Sequence, residues 1–167
     1  TGQRLTKKFG LRKTLEAVKD AYRGAKFAGI ACGKTINWYS PIPKSNLTST
    51  GDKMDATVQF QLGVFANGFV PTADNISQWS ANWSCAQTAT YNPGTKVFDG
   101  IMSVASNSGA FAKGAKAYIW QRSTSATKDE WMLYRASDWT WPAPNAMDPM
   151  ALVWNTADAN EVVMGSI

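Results

Sequence analysis

The chain has 167 residues, 44% of them hydrophobic and 12% aromatic, enough for one domain with a sizeable core and too little for two. It contains no histidine, which excludes imidazole triads, most zinc sites and the ordinary proton shuttle near neutral pH. Its formal charge of +5 is unevenly placed: residues 1–36 carry nine Lys or Arg against Glu16 and Asp20, a balance of +7, and the remaining residues carry eight basic against ten acidic side chains, or −2.

The charge asymmetry marks residues 1–34 as a basic arm and hinge, and residues 35–167 as a mildly acidic body. Across residues 7–27, Leu11, Leu15, Val18 and Tyr22 recur at the three-to-four spacing of one helix face, and basic side chains such as Lys13 and Arg23 fill much of the remaining circumference. The apolar stripe is thin, so an isolated helix would be marginal in water and needs a surface to lie on. Its charge suits an acidic partner: nucleic acid, anionic lipid, anionic polysaccharide or the acidic body of a neighbouring copy. Nucleic acid is the least favoured, because the arm has no base-reading motif.

The arm ends in "AGIACGKTINW", which looks like a phosphate-cradling loop. That loop needs its first glycine five residues before the Gly of Gly-Lys-Ser/Thr, a place held here by Ala28, and it should follow a strand and open a helix. Pro41 and Pro43 forbid an ordinary helix downstream. A small-residue junction, hinged at Gly29 and Gly33, leading into a first strand "TINWYS" is the expected arrangement. Cys32 lies in this junction and Cys85 in the body; they are either a disulfide or two free buried thiols.

After a polar loop at residues 44–52, the period becomes two. "DATVQFQLGVF" puts Val58, Phe60 and Leu62 on one face and Thr57, Gln59 and Gln61 on the other. "PTADNISQWSANW" predicts a short helix at one end of the sheet, with Thr72 as N-cap and Ile76, Trp79 and Trp83 on its inner side. Further strands are expected in "KVFDGIMSV", "KAYIWQR", "EWMLYRA", "ALVWNT" and "EVVMGSI", separated by turn-forming clusters such as "YNPGTK", "SNSGAFAKG" and "PAPNAMDP". The predicted class is therefore mainly β: an antiparallel, jelly-roll-like β-sandwich with one short inserted helix and an N-terminal amphipathic basic helix. No apolar run is long enough for a transmembrane helix.

No residue set satisfies the demands of catalysis. Asp129 and Glu130 are adjacent, which on a strand sends them to opposite faces, and Asp52 and Asp55 flank a turn. "DANE" at residues 158–161 lacks the glycine and distal glutamate of a calcium loop. A non-enzymatic protein without metal or cofactor is expected. Trp139 and Trp141 alternate and so share a strand face, where they form either a platform for sugar rings or part of the core. The abundance of aromatics favours the core, and Trp79, Trp83, Trp120, Trp131 and Trp154 read the same way.

"FQLGVFANGFVPTADNISQWSANW", "YNPGTKVFDG", "AKAYIWQ", "EWMLYRASDWTWP" and "ALVWNTADANEVVMGSI" together resemble a group of secreted β-rich proteins abundant in Verrucomicrobia and related bacteria. Many of these carry a C-terminal sorting signal of the PEP type. The resemblance covers residues 51–167 and implies an exported domain with no catalytic residues; export in turn favours the Cys32–Cys85 disulfide. The chain reaches Ile167 without the sorting signal, and the basic arm is not part of the pattern, so anchoring by that route is not expected. The functional expectation is a secreted structural protein that joins copies of itself through its arm into a surface filament, sheath or extracellular matrix. The alternative is an extracellular binding module for polysaccharide or another polyanion.

Overall fold

Eight strands form two facing sheets in the computed structural model, which describes residues 34–41, 48, 51–104, 107, 109–123, 131–143 and 150–166. All of these belong to the second of the two units into which the chain divides, Gly33–Ile167. The predicted basic helix, with Leu11, Lys13, Leu15, Val18, Tyr22 and Arg23, lies outside the described residues, as does Cys32.

The larger sheet joins β3 (Trp83–Thr90), β2 (Val58–Phe65), β5 (Ala117–Ser123), β6 (Trp131–Arg135) and β8 (Glu161–Met164) in that order, antiparallel throughout. The smaller joins β4 (Asp99–Ser103), β1 (Thr35–Tyr39) and β7 (Leu152–Asn155); β1 is antiparallel to β4 and parallel to β7. The expected sandwich is present, but the smaller sheet is mixed rather than antiparallel, and the strands divide five to three. The parallel pair arises because β7 reaches β1 by a long crossover instead of a hairpin.

Between the sheets lies the main core. Ile36 and Trp38 of β1 and Trp154 of β7 meet Val58, Phe60, Leu62 and Val64 of β2, Ile119 of β5 and Tyr134 of β6. Phe60 stacks on Phe98 at 3.8 Å between ring centroids. Gln87 of β3 links the layers: its Oε1 accepts from the Trp38 indole at 2.6 Å, and its Nε2 donates to the Ile101 carbonyl of β4 at 2.9 Å. Gly100 makes room for this, since a Cβ there would lie 2.3 Å from Trp38 Nε1.

A second apolar layer covers the opposite face of the larger sheet. Phe65, Tyr118, Trp120 and Leu133 are buried there beneath Trp79, with Phe69, Ile76, Trp83 and Trp131 around them. β5 is consequently buried on both faces, which explains the unbroken run Ala-Tyr-Ile-Trp where a half-exposed strand would alternate. The inserted helix supplies the cover: a 3-10 segment, Ala73–Gln78, runs into one α-helical turn, α1 (Trp79–Asn82). Asn75 holds it, accepting from the Thr72 N–H and the Trp79 indole, both at 2.8 Å, and donating to the Val70 carbonyl at 2.9 Å. Trp83 departs from expectation. It opens β3 instead of continuing the helix, laying its ring over Gly63 and donating to Gln61 Oε1 at 3.0 Å.

Tyr134 gives the core a pH dependence. It is fully buried, and its hydroxyl meets the Thr156 hydroxyl at 3.0 Å. Burial pushes its ionisation far above the ordinary tyrosine range, so the folded chain keeps a proton that the unfolded chain releases near about pH 10. That contribution to stability is complete below about pH 10 and is lost progressively as pH rises above it. Thermal melts should therefore fall as pH rises above about 10, and less steeply in Tyr134→Phe, at a cost of about 1 kcal/mol near neutrality for the lost hydrogen bond. An equally steep fall in the variant would remove Tyr134 as the cause.

Candidate functional sites

A cleft of about 540 Å³ opens where β2 leaves the larger sheet. One wall is the turn at residues 66–70, closed by the Ala66 N–H donating to the Asn82 carbonyl at 2.8 Å and the Phe69 N–H to the Ala66 carbonyl at 2.9 Å. The other wall is the segment at residues 109–116, pinned by the Gly114 N–H to the Trp141 carbonyl and the Trp141 N–H to the Ala115 carbonyl, both at 2.8 Å. Phe65 and Tyr118 line the cleft from the sheet. Their rings meet edge to face at 5.4 Å, and Phe69 stacks on Phe65 at 5.3 Å.

The electrostatics of the cleft are one-sided. Lys113 and Lys116 line it and are exposed, and among the described residues no carboxylate does. Burial raises the ionisation of the Tyr118 hydroxyl above its ordinary range, with the Arg135 guanidinium opposing the shift and the Glu161 carboxylate adding to it. The hydroxyl thus stays protonated at neutral pH as a donor or acceptor. The arrangement offers aromatic and aliphatic walls, two ammonium groups and a hydroxyl, which suits holding a ligand.

A second surface is the outer face of the smaller sheet. Ile101 of β4 and Val153 of β7 flank Asn37 of β1 on one rung and are 66% and 52% exposed. The next rung carries Asp99, Tyr39 and Asn155, with Asp99 also exposed. Ile101 and Val153 thus stand in solvent on either side of Asn37 and one rung from a carboxylate, on a sheet whose other face is packed into the core.

The residues singled out from sequence fall elsewhere. Trp139 and Trp141 are 2% and 3% exposed, so neither is a sugar platform. Trp154 of β7 fills the space they face, 5.9 Å from the Trp139 ring and 6.3 Å from the Trp141 ring. Cys85 is an exposed free thiol on β3, with its Sγ 3.5 Å from the Gln87 carbonyl oxygen, and its expected disulfide partner lies outside the described residues. Asp55 caps a turn, where hydrogen bonds from the Thr57 hydroxyl and N–H hold its carboxyl below the usual range. "DANE" is a polar turn: Asp158 ends a 3-10 segment, Asn160 accepts from the Ser137 N–H at 2.9 Å, and Glu161 pairs with Arg135. Among the described residues, no group of three metal-ligating side chains converges, and no helix is long and apolar enough to cross a membrane.

Neither surface was singled out from the sequence. The cleft is built by two distant turns, one of which, "SNSGAFAKG", reads only as punctuation. The exposed pair had a signal: "GIM" and "LVW" each put an apolar residue, Ile101 and Val153, on the face opposite the one that carries Met102, Leu152 and Trp154.

Fold and surfaces together define a mainly β sandwich with a ligand-sized cleft and a largely polar outer sheet face that exposes Ile101 and Val153. No protein-family model, curated protein or solved structure matches the chain.

Proposed function

We propose that the protein is a secreted, non-enzymatic structural subunit whose copies join when the basic arm of one covers the outer face of the smaller sheet of the next. The observation that carries this reading is the exposed rung of Ile101 and Val153 beside Asp99. An amphipathic helix with a narrow apolar stripe and a positive surround is its physical complement: Leu11, Leu15, Val18 and Tyr22 would cover the apolar pair, and Lys13 or Arg23 would meet the carboxylate. Apolar burial supplies most of the stabilisation, since exposed ion pairs contribute at most about 1 kcal/mol each. The resemblance to exported proteins supports placement at the cell surface or in an extracellular matrix. There the exposed Cys85 thiol would meet oxidising conditions, with Cys32 as its expected partner.

Two substitutions in the full chain separate apolar from ionic docking. Leu15→Asp puts a charge into the stripe and should lower the assembled mass at a given concentration far more than Lys13→Ala does, read by size-exclusion chromatography with light scattering. Equal effects would mean that charge alone holds the copies together.

A further inference from the structure

We propose that the cleft between residues 66–70 and 109–116 is a binding site for acidic polysaccharide, taking a short run of uronate or sulfated sugar. The proposal is independent of assembly, because the cleft lies on the larger sheet's side and the exposed rung on the smaller sheet. Its volume, about 540 Å³, falls within the roughly 300–1,000 Å³ typical of small-molecule sites and accommodates a few sugar rings.

The lining matches the two chemical faces of such a sugar. A pyranose ring presents C–H groups on its flat sides, which pack against aromatic and aliphatic carbon; Phe69, Val70 and Ala110 provide that carbon, with Phe65 and Tyr118 behind. Val70 is 66% exposed at the rim, an apolar side chain with no role in the core. The carboxylate or sulfate of the sugar requires cations, and Lys113 and Lys116 stand in the same wall with no carboxylate among the described lining residues. Two like charges held in a concave surface raise the local concentration of anions and set orientation. Gly109 and Gly114 take the left-handed backbone, with φ of 61° and 85°, that turns this wall. Single-stranded nucleic acid fits less well. Base stacking needs flat, open aromatic platforms, whereas Phe65 and Tyr118 stand at 83° to each other and are 6% and 7% exposed.

The test uses isotopically labelled full-length protein titrated with a trigalacturonate, a sulfated trisaccharide, a neutral trisaccharide and a short oligouridylate, followed by amide chemical shifts. The expected result is saturable shifts at residues 66–70 and 109–116 with one or both acidic sugars. The neutral sugar should bind at least about tenfold more weakly, and Lys113→Gln/Lys116→Gln should weaken acidic-sugar binding to a similar degree as the charge attraction is removed. Assembly measured by light scattering should be unchanged in that double variant, so loss of binding and loss of self-association remain separate outcomes. Shifts confined to residues 1–34, binding unaffected by the double variant, equal affinity for the neutral sugar, tighter binding of oligouridylate, or no binding by either acidic sugar would each overturn the proposal.

Discussion

Replacing Trp79 by alanine is expected to lower the stability of the body by about 3–5 kcal/mol, the range for truncating a fully buried aromatic side chain. Trp79 has no exposed surface. Its ring stands edge-on to Trp120 at 5.7 Å, meets Phe65 at 6.2 Å and lies at 29° to Trp131 at 6.3 Å. Removing it opens a cavity lined by large, stiff rings that cannot collapse into the space. It also takes the indole donor from Asn75, the residue that organises the segment covering the larger sheet. Trp79→Phe keeps most of the apolar volume and loses the hydrogen bond, so it should fall between the variant and the parent. Urea unfolding followed by circular dichroism measures both, and an alanine variant costing less than about 1.5 kcal/mol would mean that the second apolar layer contributes little.

The second large effect is asymmetric and concerns Arg135. Its guanidinium is 2% exposed and pairs at 2.7 Å with Glu161, which is 46% exposed. It also donates to the Ser137 carbonyl at 3.0 Å and the Trp139 carbonyl at 3.3 Å, and lies 5.5 Å from the Tyr118 ring. Glu161→Ala leaves a buried cation without its counter-charge and should cost about 3 kcal/mol, the lower end for breaking a buried pair because Glu161 itself is half in water. Arg135→Met should cost less, about 1 kcal/mol, since it replaces the buried charge by an apolar chain of similar length. Glu161 would then turn to solvent, and the Trp139 carbonyl would still accept from the Ala117 N–H at 3.0 Å. Equilibrium denaturation of the two variants decides the order, and a costlier Arg135→Met would show that the guanidinium's hydrogen bonds outweigh its pairing.

What could be read in the sequence follows from how many faces each element buries. β2 is legible because Val58, Phe60 and Leu62 alternate with polar residues, and β1, β6, β7 and β8 all fall within predicted stretches. β3 is not, because "WSCAQTAT" has small and polar side chains on both faces and begins without a break from α1. The strand is held by register against β2 and by the long-range bonds of Trp83 and Gln87, which no local pattern carries. The parallel pairing of β1 with β7 is invisible for the same reason. Trp139 and Trp141 do share a face, as their alternation requires, but alternation does not say which face is covered, and Trp154 arrives from a different sheet to cover it. The cleft depends on the close approach of two turns, a fact of tertiary structure.

Sedimentation velocity of the full chain beside Ile101→Lys/Val153→Lys tests most directly whether the arm of one copy covers the smaller sheet of the next. Both positions are exposed in the single chain, so the substitutions should leave its melting temperature and circular dichroism nearly unchanged while introducing two cations where a cationic helix must dock. Concentration-dependent assembly of the parent chain and a monomer in the double variant are expected under the same conditions. Assembly of the double variant at the parent's concentration dependence, or a parent chain that stays monomeric throughout, would contradict it.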